Sequence, residues 1–265
     1  MSFAVSIAIL GLAQAALVAV PRTRPRPAWI ERLRSPWWAL IPAGSIALVI
    51  AMIELESNSA TWLSYLALLV VPPLAAFALS YLIRSSDRIW AWAALPLFVL
   101  AWASRGSLTG ETAATALTGL GCISLGWMLV SVVPAFWLRL GVYAMAAVDT
   151  WFVASDLLQG PNAVLTAAAP VGGLPRLQAV HFGSAVMGFG DLFIAALVGC
   201  LLARDRPRQL QGALLVAVFA LAFDLLFFAV NELPATVPVA VALALVTRRG
   251  LAQGPQNPAG TSPQL

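Results

Sequence analysis

The sequence predicts an all-α, polytopic membrane protein of nine transmembrane helices. Three observations predict it. Hydrophobic residues make up 61% of the 265 and charged residues only 10%, whereas a soluble domain carries about 25% charged and about 45–50% apolar residues. The apolar residues fall into nine runs with short polar breaks, and nine crossings at about 20 residues each take up about 180 residues, leaving about 85 for loops and tails. The arginines then sort to one side of the membrane. This composition excludes a water-soluble globular fold and leaves no room for a sizeable soluble domain. The net charge of +4 arises from 15 Arg and no Lys against 11 acidic residues, a basic excess that sets topology rather than binding nucleic acid.

The runs lie at residues 2–20, 37–53, 60–83, 89–104, 112–133, 140–158, 179–203, 209–230 and 233–247. The first has no Lys or Arg at its start and is followed by Arg22, Arg24, Arg26, Arg32 and Arg34, so it reads as an anchor with its N-terminus outside rather than a signal peptide. With that start, Arg84, Arg88, Arg139, Arg204, Arg206, Arg208, Arg248 and Arg249 join the same cluster inside, and only Arg105 and Arg176 fall outside. A 13 to 2 split of the 15 arginines is what a correct span count gives under the positive-inside rule. Trp29, Trp37, Trp38, Trp62, Trp90, Trp102 and Trp137 stand near span ends, where an amphipathic ring is favoured. Residues 1–249 are expected to form one nine-helix domain of the cell membrane. Residues 250–265, rich in Gly, Pro, Gln, Asn and Ser, are expected to form a disordered cytoplasmic tail. Within the 159–178 connection, the apolar stretch Ala163–Ala169 is expected to lie against protein or lipid.

Cys122 and Cys200 are far apart in apolar runs and lack metal or redox spacing. They read as small buried residues. A lone His181 cannot supply the three or four ligands that zinc usually takes, so no metal and no cofactor are expected.

Three aspartates fall well inside the spans, Asp149 in the sixth, Asp191 in the seventh and Asp224 in the eighth. Each is expensive in hydrocarbon unless it faces protein or water. Asp149 and Asp191 lie on spans of opposite direction, both near mid-membrane. Two carboxyl groups held together at one depth cannot easily both ionise, so one keeps a proton and the pair can work as base and acid in turn. Asp224 is expected to make a structural hydrogen bond or face a water-lined cavity. Asp156 is expected near the outer interface and outside the chemistry. His181, ten residues before Asp191, is expected about 15 Å up the same helix, too far to share its proton.

Asp191 stands in Gly188-Phe189-Gly190-Asp191, and the run from Gly188 to Asp205, GFGDLFIAALVGCLLARD, resembles the seventh span of the presenilin and signal peptide peptidase family of intramembrane aspartyl proteases. With 19 Gly and six Asp in 265 residues, chance supplies about 0.03 GxGD matches. Val148-Asp149-Thr150-Trp151-Phe152-Val153 is similar to the family's Tyr-Asp motif followed by aromatics, with Val148 in the Tyr position. Leu233-Pro234-Ala235-Thr236-Val237-Pro238 is similar to its Pro-Ala-Leu element, with Thr236 in the Leu position. These motifs span about the last 125 residues, and the outward N-terminus fits the signal peptide peptidase branch.

The resemblance implies a nine-helix, presenilin-like fold and an aspartic endopeptidase acting on transmembrane segments or signal peptides within the bilayer. Asp149 and Asp191 are its implied catalytic pair, and Gly188, Phe189, Gly190, Pro234, Ala235 and Thr236 are expected at the substrate. The glycines are expected to admit a neighbouring span closely and to ease the backbone beside the carboxyl. A helical substrate must unwind before water reaches its peptide bond. Pro234 and Pro238 are expected to leave carbonyls free to bind it as an added strand, with the 163–169 segment as another edge. Two other classes stay open. A prepilin-peptidase-like protease also uses GxGD and two aspartates, although this chain has no Lys after the motif. A proton-coupled transporter would use Asp149, Asp191 and Asp224 as a relay. Substrate identity, accessory subunits and oligomeric state are not readable from the chain.

Overall fold

A computed structural model of the chain describes residues 1–25, 27–42, 44–45, 48, 51, 59–83, 87–155, 164, 168–228 and 233–252. Asp156, most of the second span beyond Pro42, most of the 163–169 segment and residues 253–265 of the expected tail lie outside the described residues.

The described chain is mostly helical, with one hairpin. Its helices are α1 (Phe3–Ala19), α2 (Ser59–Phe77), α3 (Ala94–Ala103), α4 (Leu108–Val132), α5 (Ala135–Ala154), α6 (Phe189–Leu202), α7 (Arg206–Asp224) and α8 (Val237–Ala252). Short tight or wide helical turns occur at Ala28–Arg32, Pro36–Leu40, Ala78–Ile83, Arg88–Ala93 and Leu225–Phe228. Capping residues set several boundaries. Ser107 accepts the Gly110 N–H at 3.3 Å and starts α4, while Asp205 accepts the Arg208 N–H at 3.2 Å and starts α7, each meeting an N–H that has no intrahelical partner. α8 continues to Ala252, past residue 249 where the domain was expected to end.

Among the described residues, three helical stretches, Ala60–Ile83, Leu108–Val132 and Arg206–Phe227, are long and apolar enough to cross a membrane, where the sequence predicts nine spans in the whole chain. Phe3–Ala19, Arg88–Ala103, Phe189–Leu202 and Val237–Arg248 are apolar but shorter. The seventh predicted span is corrected most. Residues Ala179–Phe182 (β1) and Ala185–Gly188 (β2) form an antiparallel hairpin, and helix begins only at Phe189. The turn requires Gly183, whose φ of +59° lies in the left-handed region. His181 therefore sits on β1 opposite Val186, not on a helix above Asp191.

α4 forms the centre, with α2, α3, α6 and β1 packed around it, and α1 packs on α6 and α7. α6 is held between α1 and α4 by two very close approaches. A Cβ on Gly126 would lie 3.1 Å from the Leu197 Cα, and one on Gly199 would lie 2.5 Å from the Leu17 carbonyl oxygen. Only hydrogen fits at Gly199 and a Cβ at Gly126 would need Leu197 to give way, so backbone meets backbone as at small-residue interfaces in membranes. Cys122 and Cys200 are buried free thiols within this core. All seven tryptophans expected near span ends are exposed.

Replacing Gly199 by Ala should force α1 and α6 apart and cost about 1–3 kcal/mol. Gly141→Ala, at a position where nothing lies within 4 Å of an added Cβ, should not. Thermal unfolding of the two variants in detergent checks this, with a lowered midpoint expected for Gly199→Ala alone.

Candidate active site

Asp149 lies on α5 and Asp191 in the first turn of α6. The two come from different elements but line one cavity of about 1180 Å³, and they are close enough for the charge on Asp149 to act on Asp191. The hairpin determines where Asp191 stands. Because β2 ends at Gly188, the helix starts there and Asp191 becomes its third residue, where its Oδ2 accepts the Gly188 N–H at 3.2 Å. This is the reciprocal half of a capping box, made by an Asp where Glu or Gln is usual.

The two glycines of the motif serve differently from expectation. A Cβ on Gly188 would press to 3.1 Å from Asp191 Oδ2, whereas one on Gly190 meets nothing within 4 Å. Gly188 thus lets the carboxyl fold back on the helix start, and Gly190 leaves cavity space beside it. Among the described residues, no neighbouring helix comes within 4 Å of a Cβ at either position.

Thr236 occupies the position that departs from the Pro-Ala-Leu pattern, and its Oγ1 donates to Asp149 Oδ2 at 2.6 Å. It is only 2% exposed. The departure therefore places a hydroxyl donor where a leucine offers none. Val148, the other departure, is exposed and lines the cavity.

Phe189, Ala235, Leu233 and Pro238 also line the cavity, whereas Pro234 is buried beside it. Three carbonyls of this element are taken rather than free. Pro234 accepts the Val237 N–H at 3.2 Å, Thr236 accepts the Ala240 N–H at 3.0 Å, and Ala235 accepts Nε2 of Gln14 at 3.2 Å. The carbonyls before this element, at residues 229–232, lie outside the described residues.

Gln14 is the site residue that the sequence reading missed. It lies on α1, is 1% exposed, and its Nε2 also donates to the Asp191 carbonyl at 3.4 Å. One amide thus ties α1 to the backbone of Asp191 and to the Pro-Ala element. Its signal was present as a lone long polar side chain inside the 17-residue apolar helix.

Asp224 closes α7 and lines the same cavity. Its Oδ2 is buried and has no hydrogen-bond partner among the described residues, so the expected structural hydrogen bond to that atom is not made there. Among the described residues, no three His, Cys, Asp or Glu side chains are grouped to hold a metal ion.

Gln14→Leu should remove a donor from the part-buried carbonyls of Asp191 and Ala235 and cost about 1 kcal/mol. A lower unfolding midpoint for Gln14→Leu than for wild type is expected, and an unchanged midpoint would show that the two bonds carry little weight. None of the known protein families, curated proteins or solved structures compared with the chain matches it.

Proposed function

We propose that the protein is an intramembrane aspartyl endopeptidase of presenilin-like, nine-span architecture that hydrolyses peptide bonds within transmembrane segments or signal peptides. The observation that carries this is the meeting of Asp149 and Asp191, from two helices, in one largely apolar cavity beside the Pro-Ala element. The sorting of 13 of the 15 arginines to one side supports the span count, with the N-terminus outside and the C-terminus in the cytoplasm.

In the proposed reaction the pair holds one proton between its carboxyls. The ionised member takes a proton from a water molecule whose oxygen attacks the scissile carbonyl carbon, while the protonated member donates to the carbonyl oxygen. The tetrahedral intermediate then collapses, the C–N bond breaks, and the departing nitrogen takes a proton from the pair. A carboxylic acid and an amine are released, and no oxidant or cofactor is needed. The Thr236 hydroxyl fixes one oxygen of Asp149.

The substrate must be extended to be cut, and β2 offers a template for that. It pairs with β1 alone among the described residues, and it runs straight into the turn that bears Asp191. In a hairpin closed by the Phe182–Ala185 pair, the backbone N–H and C=O of Val186 point away from β1. They can receive an added strand.

Purified protein should cleave a fluorogenic single-span peptide in detergent, and Asp149→Asn or Asp191→Asn should abolish the products seen by mass spectrometry while the fold persists. Cleavage retained in both variants would overturn the assignment. Val186→Pro removes the edge N–H at a place where an edge strand tolerates proline. It should lower kcat/KM by about tenfold, the effect of losing one hydrogen bond of about 1.4 kcal/mol.

A further inference from the structure

We propose that Arg22, Arg24 and Arg204 form a binding site for a phosphate group, supplied by an anionic lipid at the membrane boundary. The site shares only the membrane setting with the protease reading. The three arginines line a second cavity, away from the aspartates, together with Thr23, Glu31 and Trp127. Its volume of about 200 Å³ falls below the roughly 300–1,000 Å³ of pockets that enclose a drug-sized ligand, so it suits one small group rather than a whole molecule. Three guanidinium groups face a single carboxylate, Glu31, which leaves the lining at a net charge of +2. Glu31 makes no ion pair among the described residues, and Asp205, the acid next to Arg204, is held by Arg208 at 3.0 Å.

The chain builds this cavity with specific bonds. Arg22 donates its backbone N–H to the Leu82 carbonyl at 3.0 Å, and the Tyr81 hydroxyl donates to the Pro25 carbonyl at 3.0 Å, so the segment after α1 is stitched to the 78–83 turn. Nε of Arg24 donates to the Tyr81 carbonyl, and its guanidinium lies 5.4 Å from the centroid of the Tyr81 ring. That ring in turn packs edge-on against Trp127, with centroids 5.8 Å apart. Arg24 is thereby fixed in place. The guanidinium groups of Arg22 and Arg204, by contrast, have no hydrogen-bond or ion-pair partner among the described residues, so their forked donors are open to a phosphate, which arginine binds through paired N–H groups.

Acceptors that would oppose an anion here are already engaged. The last carbonyls of a helix carry negative partial charge, and at this end of α1 and α6 Gln209 donates to those of Val18, Pro21 and Gly199 while Arg206 donates to that of Ala19. The place of the cavity favours a lipid as the source. Trp127 stands in the last turns of Leu108–Val132, and Arg204 stands just before Arg206–Phe227, two stretches long and apolar enough to cross a membrane. Where both stretches end, lipid phosphates are concentrated, and basic pockets between spans bind head groups there.

The test reads binding alone and needs no catalytic activity. The purified full chain, in mixed micelles of detergent and phosphatidylcholine, is titrated with dioleoyl phosphatidic acid, and the retained lipid is counted by native mass spectrometry. Wild type should hold one phosphatidic acid per chain, and the double variant Arg22→Gln, Arg204→Gln should bind it about tenfold more weakly or worse. Arg139→Gln, which removes an exposed arginine outside the cavity, should bind as wild type does. Equal weakening in Arg139→Gln would reveal diffuse charge attraction and overturn the site, as would full binding by the double variant. Inorganic phosphate at the same concentration should not displace the lipid, and displacement would assign the cavity to a soluble phosphate and overturn the lipid source. Should the double variant fail to fold, amide hydrogen exchange of the wild type decides the matter. Phosphatidic acid, and not phosphatidylcholine alone, should slow exchange at residues 22–24 several-fold, and unchanged exchange there overturns the proposal.

Discussion

A peptide group left unpaired in an apolar interior costs several kcal/mol, and this constraint governs how the protein can hold the candidate site. Continuous helices meet it automatically. The site requires the opposite, since both α6 and α8 begin inside the protein at its edge. Side chains meet the demand these interruptions create. Asp191 accepts the Gly188 N–H, and Gln14 donates to the carbonyls of Asp191 and Ala235. Gln209 plays the same part at the other end, where its Nε2 reaches the carbonyls of Val18, Pro21 and Gly199 at 2.8–3.1 Å. Two glutamines thus pin α1 at both ends of its contact with α6.

That arrangement explains why the apolar N-terminal helix belongs to the site although no motif falls on it. α1 contacts α6 through Gly199 at backbone distance and α7 through Gly11, whose added Cβ would lie 3.0 Å from the Ala220 Cβ. Contacts this close fix the rotation and height of α1, and hence where Gln14 points. The depth of Asp191 is therefore set by a chain of short contacts from α4 through Gly126 and from α1 through Gly199. A two-carboxyl centre needs such stiffness, because a shift of an ångström would alter how the pair shares a proton.

Much of this was legible in the sequence because it rested on residue type and spacing. Asp149, Asp191 and Asp224 are costly in an apolar run wherever they point, so their appearance in one cavity follows from that cost. The hairpin was not read, although AVHF-GS-AVMG carries its signal of two short β-rich runs about a Gly-Ser pair. Hydropathy hid it, since four-residue strands buried on one face raise the same average as a helix. Counting spans by that average consequently gave a helix at 179–188, where the chain turns back on itself. Thr236 was noted as a departure, but its meaning depends on the 2.6 Å approach of Asp149 from 87 residues earlier. No local pattern contains that contact. Gln14 was passed over for the same reason, since its partners Asp191 and Ala235 are remote in the chain.

The hairpin also resolves a conflict in the proposed chemistry. A protease buried in a membrane must admit water and unfold a helix, while a continuous seventh helix would expose neither a free backbone edge nor a polar approach. Ending the helix at Phe189 leaves β2 as an open strand immediately before the carboxyl. Strand backbone away from lipid is tolerated only where it is covered by protein or lines a cavity, and both conditions hold here: Ala185 and Met187 are buried, while Val186 and Gly188 face the cavity. The buried side chains of Ala185 and Met187 anchor the hairpin to the core. The backbone edge at Val186, in the plane of the pair, is where a substrate could exchange its helical hydrogen bonds for strand ones before the aspartates reach it.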